Sequence, residues 1–333
     1  MNLLILSCGT RDKVVQYFKA AFAGEGRVIC TDCSPYAPAL YEADAHYIVP
    51  RITAPEYLDV IYEICKKEAV TGVLSLIDPE LSLIAAHETQ FRALGVTIIG
   101  SDYALCERTL NKWELYCWME AHGYPCAKTY RTMESFCGAL ALGEVHFPVF
   151  VKPMKGSASI QIARADDMET ATFLFAHGEQ MIIQEYMTGQ EIGADVYIDL
   201  ISRKVVSIFT KKKLVMRAGE TDKAVSFIDE KLFAHITKFV EESGFAGQID
   251  IDLFEQDGVY YISEVNPRFG GGYPHAYACG ADHMTLIREN LRGVENPMQI
   301  GGYAVDKVMM KYNEMMLIED VPRDSATDAD ASR

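Results

Sequence analysis

QIDIDLFEQDGVYYISEVNPRFGGG, residues 248–272, is the stretch from which the rest of the chain is read. Two runs of alternating apolar and polar residues flank Asp257-Gly258, the pattern of a strand, a turn and a second strand. By the two-residue period, Asp250 and Asp252 share one face of the first strand, and Glu264 and Asn266 share one face of the second. The turn decides whether those faces coincide. A two-residue Asp257-Gly258 turn sets Asp252 opposite Ser263 and sends Glu264 to the far face. A three-residue loop, Gln256 to Gly258 with Gly258 left-handed, sets Asp250 opposite Glu264 with Asp252 diagonal to it. The three-residue loop is the expectation, since with it the oxygens converge. Converged carboxylates and an amide oxygen suit a hard divalent cation, which also keeps waters or phosphates in its shell. A solvated acidic face is the competing reading on so acidic a chain. Pro267-Arg268 and Gly270 to Gly272 favour the metal, because a guanidinium pairs with phosphate and bare backbone admits a close ligand.

Working outward, the 333 residues carry 47 acidic and 31 basic side chains, a net charge of −16. That balance argues against a general nucleic-acid binder, which needs a basic surface. No apolar run is long enough to predict a membrane span. MNLLILSCGT at the start reads as a buried strand and not as a signal peptide. Nine cysteines without a regular framework point to free thiols in a reducing cytoplasm. Cys30 and Cys33 form one CxxC, and the expectation is thiols at strand ends.

The first hundred residues alternate strand and helix signals, which predicts a parallel sheet covered on both faces. No GxGxxG follows the first strand, so a dinucleotide site is poorly supported. Ser101 to about Tyr124 reads as one helix capped by Ser101 or Asp102. From about Pro125 the pattern becomes α+β, with several antiparallel strands. FVKPMKGSAS places Lys152 at a strand end before a small-residue loop, Lys155 to Ser159, that would offer N–H groups and hydroxyls to phosphate. It is not a Walker A sequence, and a surface turn is the competing reading. MIIQEYMTGQE runs an apolar strand into Gln184, Glu185 and Met187, whose backbone would suit an adenine edge, with Glu191 suited to ribose hydroxyls. An ordinary strand-to-turn passage explains it equally well when it is taken alone.

The order of these pieces changes that balance. Lys112, VKP with Lys152, GSAS, QEYMTGQE, Asp252 and SEVNPR together resemble the ATP-grasp superfamily. They look most like its carbamoyl-phosphate-synthase-large-subunit-like branch of stand-alone carboxylate–amine ligases. The resemblance runs from residue 1 to about 318, and EVNPR is its most specific part. It implies an α/β and α+β fold: a Rossmann-like pre-ATP-grasp domain over 1–110, then a two-subdomain ATP-grasp domain over 111–318 with a lid at about 125–188. The polar segment 319–333 is expected to be disordered. The resemblance implies that Lys112, Lys152, Lys155, Gly156 and Ser157 meet ATP phosphates. It gives Gln184, Glu185 and Met187 to adenine and Glu191 to ribose. It gives Asp252, Glu264 and Asn266 to Mg²⁺, with Mn²⁺ as a substitute, and it makes Arg268 and Arg217 the catalytic cations.

The implied activity is an ADP-forming ligase that activates a carboxylate as an acyl phosphate and joins it to an amine. Carbamoyl phosphate synthesis is not expected, because the chain carries one such unit and no amidotransferase domain. Ser75, Asp78, Glu80 and Gly270 to Gly272 are the expected walls of the acceptor pocket, and His275 is expected to be packed and not catalytic. Small molecules are the expected partners, without nucleic acid or membrane, in a cytoplasmic homodimer. The alternatives are a catalytically silent nucleotide-binding regulator and a ligase using bicarbonate or a thiol.

Overall fold

A computed structural model describes residues 1–156, 162–217 and 219–319. The fold is mixed α/β, with one parallel and two largely antiparallel sheets. The parallel sheet takes β1 (Asn2–Leu6), β2 (Arg27–Asp32), β3 (Ala45–Ile48), β4 (Val70–Ser75) and β5 (Thr97–Ile98) in the order β3-β2-β1-β4-β5. Helices α1 (Asp12–Phe22), α2 (Tyr57–Lys67), α3 (Asp78–Ala86) and α4 (Glu88–Ala93) connect the strands. Both faces of β1 are apolar and fully covered: Leu3 and Ile5 meet one core, Leu4 and Leu6 another. All five strands run parallel, but successive strands are added on one side of β1 (β2, β3) and then on the other (β4, β5). A ligand crevice opens at the carboxyl ends of the strands at such a switch in strand order.

The stretch expected as one helix from Ser101 is two. Asp102 caps α5 (Tyr103–Leu110), and Asn111 then leaves helical geometry and caps α6 (Lys112–Ala121) through its side-chain oxygen. Asparagine is one of the side chains that satisfies the free N–H groups of a new helix start. The break puts Lys112 at the first turn of α6, where its N–H donates to the Met154 carbonyl at 2.9 Å.

A four-stranded sheet follows, of β6 (Thr129–Tyr130), β7 (Val149–Pro153), β8 (Ala163–Ala165) and β9 (Met181–Glu185), with α7 (Met133–Ala141) and α8 (Met168–His177) packed on it. The loop residues Ser157 to Ser159, expected over the phosphates, lie outside the described residues, as does the tail from residue 320.

The largest sheet contains β10 (Gln190–Ile198), β11 (Val205–Arg217), β12 (Glu220–Phe227), β13 (Gly247–Gln256), β14 (Val259–Asn266) and β15 (Val308–Met310), in the order β14-β13-β10-β11-β12-β15. Helix α9 (Glu230–Ser243) covers one face, and α10 (Tyr273–Ala278) and α11 (His283–Leu291) lie towards the parallel sheet. Phe18 and Phe22 of α1 share a core with Phe269, Tyr273, Met284 and Ile287. That shared core fixes the parallel sheet against the large one.

The three-residue loop expected in the acidic hairpin does not form. Gln256 pairs with Val259, so Asp257-Gly258 is a two-residue turn, and both residues are left-handed at φ 53° and 77°. Two positive φ values give a turn whose twist matches the flanking strands. This turn alone would aim Glu264 away from Asp252. The ladder corrects itself by a bulge, since Leu253 pairs with Ile262 but Asp252 pairs with Glu264, leaving Ser263 as the extra residue. Asp250 then opposes Asn266, so the oxygens converge by a different register from the one expected.

Candidate functional site

The two antiparallel sheets and the segments that follow β1 and β4 of the parallel sheet contribute walls to one cleft of about 660 Å³. Its lining includes Lys112, Lys152, Lys155, Gly156, Gln184, Glu185, Met187, Glu191, Asp252, Glu264, Asn266 and Arg268. The predicted candidates are therefore brought together, with two exceptions. Ser157 lies outside the described residues. Arg217 is not among the lining residues; its exposed side chain pairs with Asp222 at 3.3 Å at the end of β11.

Lys152 is buried on β7 and donates to Gln184 Oε1 at 2.6 Å, and Gln184 Nε2 donates to Thr129 Oγ1 at 2.9 Å. The amide of Gln184 thus orients the lysine. Burial pushes the Lys152 ammonium down to about 8; Glu264 works against that shift and Lys112 adds to it. Among the described residues no carboxylate pairs with Lys152, and a buried lysine of this kind suits an anion. Lys112 donates to the Gly156 carbonyl and lies 3.7 Å from Glu264. The Glu185 N–H is taken by the Lys128 carbonyl at 2.8 Å, and Met187 lies just past the end of β9.

The carboxylates are neutralised by a residue that the sequence reading passed over. Lys213 of β11 is 2.7 Å from Asp252 and 2.9 Å from Glu191, and its side chain is almost fully buried. Burial alone would lower its pKa, but Asp252 and Glu191 outweigh that and push it up. One ammonium therefore ties the residue expected at ribose to the residue expected at the metal. KKKLV at 211–215 looks like a basic surface run. Strand period puts Lys211 and Lys213 on one face, and only the pairing of β11 to β10 turns that face inward.

Asp252 and Glu264 keep 25% and 31% of their side-chain surface exposed, on the cleft side of the hairpin. Asn266 Oδ1 accepts from Arg268 Nη2 at 3.2 Å. Among the described residues no three His, Cys, Asp or Glu side chains gather into a metal cage. Two carboxylates and one amide oxygen fit a hard cation that draws its remaining ligands from phosphate and water, as Mg²⁺ does.

Arg268 lies 3.0 Å from Asp78, which opens α3 after β4, and donates to the Phe269 carbonyl at 3.1 Å. Asp78 reaches the cleft, but Ser75 and Glu80, expected beside it, do not line it. Glu80 is fully buried and accepts from Ser7 Oγ at 3.0 Å, and from Ser75 and Tyr57. Burial pushes its carboxyl up, and these three hydroxyls oppose the shift. Its work is to anchor the loop after β1, where Ser7 and Gly9 are both left-handed.

The glycines were expected to admit substrate. Gly271 and Gly272 do line the cleft and Gly270 does not, and the space that a side chain would take beside each of the three is held by the protein's own charged groups. A Cβ at Gly270 would sit 2.4 Å from the Asp250 carboxylate, one at Gly271 would sit 2.6 Å from Arg11 and Glu220, and one at Gly272 would sit 2.9 Å from the Lys211 ammonium. Lys211 is wholly buried and paired with Asp195. Burial pushes the Asp195 carboxyl up despite that pairing. Burial pushes Asp250 to about 7, with Asp252 and Asp195 adding to the shift. His275 Nε2 donates to the Lys307 carbonyl at 2.8 Å, and burial holds the ring neutral, at about 4, against Phe209. Cys8 and Cys30 are buried in the core, and Cys33 is exposed.

Two family descriptions match the chain: a PylC-like N-terminal domain over residues 3–99 and an ATP-grasp domain over residues 109–272. The carbamoyl phosphate synthase large chain of Halomonas eurihalina is 24% identical over 253 residues, which cover 70% of this chain and 23% of that protein. The match thus spans about a quarter of the length of that curated relative. Among solved structures, the biotin carboxylase domain of Hydrogenobacter thermophilus 2-oxoglutarate carboxylase, solved with MgADP and bicarbonate, superposes with TM-score 0.72 and 14% identity. That match covers 92% of this chain and 73% of that one. The L-amino acid ligase of Bacillus licheniformis superposes with TM-score 0.65 and 19% identity, covering 89% of this chain and 75% of that one.

Proposed function

From a chain that belongs to the ATP-grasp superfamily and carries a PylC-like N-terminal domain, we infer an ADP-forming ligase that joins a carboxylate to an amine. The observation that carries this reading is the meeting, in one cleft, of two lysines suited to phosphate and a hairpin of open carboxylates, with Arg268 beside them. Lys152 and Lys112 hold the phosphate chain of ATP. Met187 reads the adenine edge, and Glu191, fixed by Lys213, meets the ribose. Asp252, Glu264 and Asn266 would hold Mg²⁺, which when bound neutralises charge on the β- and γ-phosphates.

A substrate carboxylate attacks the γ-phosphorus; the bond to the bridging oxygen breaks and ADP leaves, giving an acyl phosphate. Arg268, held by Asp78, steadies the transferred phosphoryl group. An amine then attacks the activated carbonyl and expels phosphate. The carboxylate is already a competent nucleophile, so most of the rate comes from positioning and fixed charge. The partners are small molecules. Among the described residues no helix is long and apolar enough to cross a membrane. Free, scattered thiols support a cytoplasmic location.

Hydroxylamine tests this reading, because it captures acyl phosphates as hydroxamates. With Mg-ATP, hydroxylamine and a panel of carboxylates, at least one acid is expected to give hydroxamate and ADP in equal amounts. ADP release without any hydroxamate would mean that water, and not a carboxylate, takes the phosphoryl group.

A further inference from the structure

Two arginines line the cleft, and each is paired with one of the protein's own carboxylates. Arg268 and Asp78 are both nearly buried, with 12% and 8% of their side-chain surface exposed. Arg11 and Glu220 are part-exposed, at 23% and 41%. Arg11 Nη1 donates to Glu220 Oε1 at 2.6 Å, and Lys311 Nζ donates to Glu220 Oε2 at 3.0 Å. One carboxylate therefore bridges two cations brought from the loop after β1 and from the segment after β15. Burial raises the Glu220 carboxyl, but Arg11 and Lys311 hold it below the usual range.

The place is one where a ligand belongs. Arg11 follows β1 and Asp78 follows β4, the adjacent parallel strands between which the strand order of the sheet switches. Arg11 is presented from a fixed loop: the Gly9 N–H donates to Asp32 at 2.9 Å, and Ser7 is tied to Glu80. Glu220 opens β12 directly after Gly219, whose φ is 78°. Gly271 leaves the space that both Arg11 and Glu220 use. The Arg11–Glu220–Lys311 group carries one surplus positive charge, and its part-exposed ion pairs are weaker than buried ones. An entering carboxylate that displaces Glu220 thus loses little and meets two cations already in position.

We propose that Arg11 and Lys311 form the subsite for a substrate carboxylate, and that Glu220 fills it until the substrate takes its place. This rests on the ligase reading only for the word substrate; the anion site itself stands on the geometry. A rigid latch is the competing role, and the two differ in sign. Breaking a latch from either side has the same effect. Removing Glu220 from an occupied subsite improves anion binding, whereas removing Arg11 abolishes it.

The test uses acetate as probe on the full chain, without ATP, following the Arg11 Nε–Hε resonance by NMR. The resonance is assigned by its loss in Arg11→Gln. In Glu220→Gln, acetate is expected to shift it saturably, with a midpoint about fivefold lower than in wild type. Equal midpoints, a higher midpoint in Glu220→Gln, or no saturable shift would overturn the proposal. If Glu220→Gln loses the native spectrum, Lys311→Met carries the test with the opposite sign, a raised midpoint being expected. Once a carboxylate substrate is in hand, its KM should fall in Glu220→Gln and rise in Arg11→Gln, with KM for ATP unchanged in both. Because the acetate titration needs no turnover, failure of the ligase reading leaves its outcome intact.

Discussion

The hairpin β13–β14 brings carboxylates to the cleft, and the hairpin β11–β12 brings ammonium groups; β10 lies between them and pairs with both. On the first hairpin, Asp252 and Glu264 remain part-exposed and open to a ligand. On the second, Lys211 and Lys213 are buried and already satisfied, by Asp195 and by Asp252 with Glu191. The first is built to bind something that arrives. The second holds the first in place and keeps its charge from repelling itself. Removing a group should therefore cost function on one hairpin and stability on the other.

The largest expected effect is on the ammonium side. Lys211→Met leaves Asp195 buried without its cation, beside Asp250, and should cost ~3–5 kcal/mol in urea unfolding. Unchanged stability would mean that Asp195 is neutral and needs no partner. On the carboxylate side, Glu264→Gln should lower kcat for ADP release by at least ~100-fold, about 3 kcal/mol of transition-state stabilisation, with the unfolding midpoint little changed. A large stability loss there would erase the contrast between the hairpins.

A smaller effect is expected where the two meet at the glycines. Gly270→Ala puts a methyl against the Asp250 carboxylate and should cost ~1–3 kcal/mol, read from the same urea transition. The mildest effect concerns pH. Lys152 titrates at about 8 in the folded protein against 10.5 when unfolded. Between those values the unfolded chain binds a proton that the native state has released, so this group makes stability rise with pH across that window. Lys152→Met should remove that part of the rise. In wild type, KM for ATP should climb by up to about tenfold for the pH unit above 8, as the charged lysine is lost. A flat profile would exclude Lys152 from phosphate binding.

The same contrast explains what could be read in advance. Asp252, Glu264, Asn266 and Arg268 lie within one local stretch, and strand period alone puts the oxygens on shared faces. Even there the register was reached by another route, because a bulge at Ser263 is not written in the alternation. The parallel sheet was legible because both faces of its strands are buried and its helices alternate with them. Lys213 was not legible, since its partners come from β10 and β13 and its own run looks like a solvated surface. Arg11 and Glu220 are 209 residues apart, and no local period links them. The glycines at 270–272 were visible as bare backbone, but what fills the space beside them depends on charges from β11, β12, β13 and the loop after β1. The break at Asn111 was signalled only by a residue that caps helices and also occurs within them.

The most direct measurement follows one oxygen atom. A carboxylate that gives hydroxamate is prepared with ¹⁸O in its carboxyl group and turned over with Mg-ATP and an amine. The phosphate released is then weighed by mass spectrometry. Attack by the carboxylate on the γ-phosphorus leaves its oxygen on phosphorus, so each phosphate should carry one atom of label. Unlabelled phosphate would show that water attacks the γ-phosphorus, and would contradict a ligase that works through an acyl phosphate.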